Sequence, residues 1–217
     1  MQCINSREFL FTLSHPEGCA ECNDLSEWYE SWRETDSSIE DLLQLMSEEV
    51  DENMIFLVAH TLKYHVTKRW GSIDVQTIQS IFDSSIEKLC NDSFRPESPA
   101  EFKLTELIAC IISNNSSYFN AIFHLAEKQL VNLFVLLLEQ ISDGNSADYS
   151  ELYSKLVEAS PIIHTLIHFA ELSPMIFELH AQAVSITPSY SQFASILPRI
   201  IEGLKDPSMV PSILNLL

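Results

Sequence analysis

The sequence predicts an all-α chain arranged as an α-solenoid of short helical hairpins, and three observations carry that reading. Ser98-Pro99, Ser160-Pro161, Ser173-Pro174, Thr187-Pro188 and Asp206-Pro207 are helix-start signatures. In each, a side-chain oxygen accepts from an orphan amide of the first turn, while the proline sits where its missing N–H costs nothing. No segment alternates apolar and polar residues for long enough to make a strand, whereas stripes at helical spacing recur along the chain. The helices are short, with short loops and no closing crossover, so each hairpin meets its neighbours and not a common centre. The second helices of successive pairs begin near residues 19, 50, 98, 129 and 160, a spacing of roughly 31 to 48 residues that brackets known helical-repeat periods.

Taken in order, the first helix spans about Ser6 to Leu13 and ends at His15-Pro16, because the residue before a proline is pushed out of the helical region. The second, about Cys19 to Arg33, places Leu25, Trp28, Tyr29 and Trp32 at helical spacing and pairs with the first as a hairpin. Ser37-Ser38-Ile39-Glu40 has the form of a capping box and opens a helix with Ile39, Leu42, Leu43 and Met46 inward. The acidic run Glu48 to Glu52 starts a fourth helix, to about Thr67, where carboxylates favour the positive end of the dipole. Its stretch Met54 to Ala59 is apolar nearly all round, which calls for neighbours on more than one side.

A helix from about Asp74 to Cys90 follows, with Val75, Ile78, Phe82, Ile86 and Leu89 along one stripe. After the break at Arg95 to Pro99, Ser98 and Glu101 form a second capping box, and Leu104, Leu107, Ile108, Ile111 and Ile112 make the next stripe. Helices of about Ser117–Glu127 and Gln129–Ile141 precede a loop at Asp143 to Ser146. Short helices then run from Tyr149 to an apolar ending, Leu214, Leu216 and Leu217. A solenoid needs a polar cap, so this ending predicts about five or six repeats belonging to a longer solenoid.

Composition narrows the function. Of 217 residues 46% are hydrophobic, ample for a core, and the longest dense apolar run, Leu133 to Leu138, is too short to span a bilayer. Arg7 and Glu8 before Phe9 to Leu13 do not make a secretion signal. Five cysteines, an odd number, predict reduced thiols. The expected address is therefore cytoplasm or nucleus. The formal charge is −19, and residues 1–60 hold fourteen acidic side chains against Arg7 and Arg33. Such asymmetry repels nucleic acid and attracts basic protein surfaces.

Enzymatic chemistry has little to stand on. The four glycines form no phosphate-cradling loop. Cys3, His15, Cys19 and Cys22 have the residue types of a zinc set, yet Cys19 and Cys22 fall at a helix start, where they merely share a face, so no metal is expected. Cys90 and Cys110 lie in apolar helical contexts. His164 and His168 share a helix face near Glu171 without a metalloprotease motif. Three Asn-x-Ser sequons, at Asn91, Asn114 and Asn115, carry no meaning without a secretory route. No catalytic residue, cofactor or enzyme activity is predicted.

Several runs resemble a known family: Phe9-Leu10-Phe11-Thr12-Leu13 to His15-Pro16-Glu17, Cys22 to Trp28, Trp32, Leu42-Leu43-Gln44, and Phe56-Leu57-Val58-Ala59-His60-Thr61-Leu62-Lys63. Together they are similar to the amino terminus of importin-β-type nuclear transport receptors, above all the transportin-SR-like branch. His60 stands where the family motif has Gln, and Lys68-Arg69-Trp70 resembles exportins. The likeness is specific over residues 6–70, faint to about 140 and architectural beyond.

The resemblance implies HEAT repeats, a concave face built from the second helix of each pair, and binding of the GTPase Ran in its GTP form, of basic protein cargo and of nucleoporins. The inner helices would be about 19–33, 50–67 and 99–114. Their exposed candidates for the partner face are Glu27, Glu30, His60, Lys63, Tyr64 and Thr67, which flank the apolar stripe, while Trp28, Phe56 and Leu62 are assigned to the core. The alternative is a HEAT- or armadillo-like scaffold that docks a large assembly without Ran.

Overall fold

The computed structural model describes residues 6–14, 22–35, 37–48, 50–91, 94–95, 98–142, 149–170, 173–186 and 190–216. Every regular element among them is helical, and no strand occurs. The chain divides into two compact units, Met1–Cys110 and Ile111–Leu217.

The first unit contains α1 (Ser6–Ser14), α2 (Cys22–Arg33), α3 (Ser37–Ser47), α4 (Glu52–Arg69), a 3₁₀ turn at Trp70–Ser72, α5 (Val75–Asn91) and the larger part of α6 (Pro99–Asn114). Its core is supplied by Leu42, Leu45 and Met46 of α3, Ile55, Val58 and Leu62 of α4, and Ile81, Phe82 and Leu89 of α5, all nearly or fully buried. Helices α3, α4 and α5 pack on one another, and α1 lies against α3 and α4. The apolar surround of α4, with Met54, Ile55, Val58, Ala59, Leu62 and Val66 buried, is what offers it these several neighbours.

Starts and stops follow local chemistry. Asp51 caps α4, its Oδ1 accepting from the amides of Asn53 at 2.9 Å and Met54 at 3.1 Å. Asp74 does the same for α5 through the Thr77 amide at 2.9 Å. Ser98 Oγ accepts from the Ala100 amide at 3.2 Å and donates to Glu52 Oε2 at 2.8 Å, so the cap of α6 is tied to the first turn of α4. Glu52 also accepts from the Arg95 amide and Nε. The hydrogen bonds from Arg95 and Ser98 hold its carboxyl below the ordinary range.

The box expected at Ser37 is not formed in that way. Ser37 already lies inside α3, and the polar anchor is its neighbour Ser38, fully buried, whose Oγ donates to Thr35 O at 2.7 Å. That uses its single proton, so at 3.0 Å His65 Nε2 is the donor to Ser38 Oγ, which fixes the proton on Nε2. Ser38→Ala would leave this buried N–H of α4 without its acceptor and is expected to cost about 2 kcal/mol. A urea titration followed by tryptophan fluorescence checks it, since Trp28, Trp32 and Trp70 all lie in the first unit.

The second unit contains residues 111–114 of α6, a 3₁₀ stretch at Ser116–His124, α7 (Glu127–Ser142), α8 (Tyr149–Glu158), α9 (Ser160–Phe169), α10 (Pro174–Ile186), α11 (Tyr190–Gly203) and α12 (Val210–Leu216). Helix α10 is central and packs on α7, α9 and α12 through Ile176, Phe177, Leu179 and Ala183. Lys155 reaches from α8 to the carbonyl of Ser116 at 2.6 Å, and Arg199 of α11 donates to the carbonyl of Ala170, the C-cap of α9, at 2.5 Å.

Several expectations are corrected here. The helix expected over 117–127 is a 3₁₀ stretch, capped by Asn115 Oδ1 on the Ser117 amide at 3.0 Å, with Tyr118, Phe119 and Ile122 inward. Val75 is 75% exposed and off the α5 stripe, because it is the first residue of that helix, before the stripe turns inward. Ser160-Pro161 opens α9 as expected, but Ser160 is its first residue and the N-cap is Ala159, without a side-chain cap. Asp206 caps a turn instead of a helix, accepting from the Ser208 amide at 2.9 Å, and α12 begins only at Val210. The signatures at Pro99, Pro161 and Pro174 do open helices. Thr187-Pro188, the loop at 143–146, and Cys3, His15 and Cys19 lie outside the described residues.

Candidate partner face on helices α2, α4 and α6

Side chains of α2, α4 and α6 meet along one ribbon of the first unit. On the α2 side, Tyr29 Oη lies 2.7 Å from Thr61 Oγ1; Thr61 donates to Leu57 O, so the tyrosine is the donor. The Arg33 guanidinium lies over the rings of Tyr29 at 5.6 Å and Tyr64 at 4.3 Å, and forms an ion pair with Glu30. Tyr64 Oη donates to Glu34 Oε1 at 2.5 Å, and this hydrogen bond to a carboxylate raises the phenol pKa. Trp28 stacks on Trp32 with centroids 5.4 Å apart.

On the α6 side, Glu106 Oε2 accepts from Lys63 at 3.0 Å and Lys103 at 2.5 Å. Burial pulls the Glu106 carboxyl up, but the two lysines outweigh it and leave it below the usual range. Lys103 Nζ also sits 5.7 Å from the Phe56 ring centroid, and Phe56 stacks on His60 at 6.2 Å. Thr67 Oγ1 is 3.5 Å from Cys110 Sγ, a thiol that burial pushes up in pKa. Burial, then the charges of Lys103, Lys63 and Arg33, lower the His60 pKa and keep the imidazole neutral.

The order of these contacts fixes direction. Between α2 and α4 the partners are Tyr29 with Thr61 and Arg33 with Tyr64; between α4 and α6 they are Phe56 with Lys103, Lys63 with Glu106 and Thr67 with Cys110. Both numbers rise together, so the three helices run the same way, which obliges α3 and α5 to return between them.

Of the six residues expected on this face, His60, Lys63, Tyr64 and Thr67 take part in the ribbon directly, Glu30 does so through Arg33, and Glu27 is exposed on α2. Sequence reasoning missed Arg33, Glu34, Lys103 and Glu106, whose signal was the repeated i, i+3 placement of opposite charges, and it assigned Phe56 to the core, although the ring is 38% exposed.

The expected acidity of the face is also corrected. Glu27, Glu30, Glu34 and Glu106 are nearly balanced by Arg33, Lys63 and Lys103, whereas Glu48, Asp51, Glu52 and Glu87 line a separate cleft of about 620 Å³ with Lys88. Asp51 and Glu52 stand there as the N-cap and first residue of α4, where a carboxylate meets the positive end of the helix dipole.

Among the described residues no helix is long and apolar enough to cross a membrane, and no group of three or more metal-ligating side chains forms. Comparison of the chain with protein-family models, curated proteins and solved structures finds no match.

Proposed function

We propose that this chain is a stretch of HEAT-like helical hairpins from a nuclear transport receptor, and that the α2–α4–α6 face engages Ran in its GTP form together with protein cargo. The observation that carries the reading is the common direction of α2, α4 and α6, joined through side-chain contacts of α4 with each of the other two. A stack of hairpins produces that arrangement, with the first helix of each pair on the other layer. The likeness of residues 6–70 to importin-β-type receptors supplies the partners, and an address shared between cytoplasm and nucleus goes with them.

The mechanism is linkage. Ran and cargo favour different curvatures of the array, so each lowers the affinity of the other by a reciprocal coupling free energy. In a pull-down with Ran loaded with GTP or GDP, the GTP form is expected to be retained preferentially, and Tyr64→Ala to weaken retention. Equal retention of both forms, or of neither, removes the Ran role. The near balance of charge on the face favours a second reading, a scaffold that docks a large assembly and is indifferent to nucleotide.

A further inference from the structure

Around His60 the charge of this chain reverses. The protein carries a net −19, yet the charges that bear most on that imidazole are those of Lys103, Lys63 and Arg33, ahead of the Glu106 carboxylate. Lys63 and Lys103 share Glu106 between them, so one carboxylate faces two ammonium groups, each with N–H donors to spare. Beside Lys103 lies apolar surface, the 38% exposed Phe56. On α4, Phe56, His60 and Lys63 follow at i, i+4 and i+7, so ring, imidazole and ammonium form one stripe.

We infer that the Phe56–His60–Lys63–Lys103 patch docks an acidic segment of a protein partner, its carboxylate accepting from the two lysines and an adjacent apolar side chain resting on the Phe56 ring. This rests on the reading of the α2–α4–α6 ribbon as a binding face, but not on Ran being what binds it. Charge complementarity selects the occupant. A basic segment would meet two ammonium groups with the single Glu106 carboxylate between them, while an acidic one completes the pairing that Glu106 leaves unfinished. At physiological salt the screening length is about 8 Å, so the distant acids of the chain repel such a segment weakly, whereas contact with the lysines is little screened. The arriving carboxylate also changes His60: a negative charge beside it favours the imidazolium and moves its pKa upward from its lowered starting value.

The test is selection of a random dodecapeptide library on the immobilised 217-residue chain, followed by titration of the selected peptides by fluorescence anisotropy. Enrichment of Asp or Glu beside Leu or Phe is expected. Affinity should fall about tenfold in Lys63→Glu/Lys103→Glu, and equally when the peptide's own Glu residues become Gln. By NMR, the His60 ring should titrate at higher pH with the acidic peptide bound. If the double variant does not fold by circular dichroism, Lys103→Gln is read in the same way. Selection of basic or uncharged peptides, or acidic peptides that bind the variant undiminished, overturns the inference. No GTPase enters this assay, so failure to retain Ran and failure to bind acidic peptides are separate results.

Discussion

Acidification is expected to destabilise the second unit by about 3 kcal/mol between pH 7 and pH 4, through one residue, His180. Its side chain is 1% exposed on α10, and burial, then the nearby His164 and His168 of α9, depress its pKa from 6.5 to about 4. Native His180 thus stays neutral while the unfolded chain takes up a proton below pH 6.5. The unfolded state binds more protons across this window, so stability is full above it and declines as pH falls, at about 1.4 kcal/mol per unit. His164, whose pKa burial and His168 also lower, pushes in the same direction. The carboxylates held low, Glu52, Glu106, Asp74 and Asp206, act only below their ordinary range, so the interval from pH 6.5 to 5 isolates the histidines. Tryptophan emission reports the first unit, which makes hydrogen exchange of the α10 amides the suitable measurement. In His180→Leu most of the pH dependence should vanish. A wild-type slope that survives the substitution would show that other groups carry it.

The fold was legible wherever a stripe was long. Leu104, Leu107, Ile108, Ile111 and Ile112 are all fully buried as their spacing requires, and the α6 limits, Pro99 and Asn114, coincide with the expected third inner helix. It was less legible where two local motifs compete. Asp206-Pro207 suits a helix start and an Asx turn equally, and only the following residues decide between them. Ser116–His124 has helical spacing yet tightens into 3₁₀ geometry, a choice that packing makes after the pattern is satisfied. The candidate face was half legible for a related reason. Periodicity identifies which side of α4 is exposed, and so named His60, Lys63, Tyr64 and Thr67. It says nothing of which neighbouring helix lies alongside, and Arg33, Lys103 and Glu106 matter only because α2 and α6 flank α4. Charge counting failed for the same reason, since a total over residues 1–60 does not say on which surface the carboxylates gather.

Phe177→Ala is expected to cost the second unit about 3–5 kcal/mol, the usual loss for a fully buried phenylalanine whose site cannot collapse. Its ring is carried by the first turn of α10, the helix on which α7, α9 and α12 all pack. What makes the site informative is the glycine opposite. A Cβ placed on Gly203 in the last turn of α11 would come within 2.7 Å of Phe177 Cζ and 2.9 Å of Ile213 Cδ1. Gly203→Ala alone gains helix propensity of at most about 1 kcal/mol, but must displace a ring that the core holds in place, so a net cost of about 1–2 kcal/mol is expected. With Phe177 already cut to Ala, the same methyl enters the vacated space and its cost should disappear or change sign. The double-mutant cycle therefore predicts a coupling of about 1–2 kcal/mol favouring the pair, read from thermal or urea unfolding followed by circular dichroism. Simple additivity would mean that the Phe177 ring does not fill the space beside Gly203, and that approach would have to be redrawn.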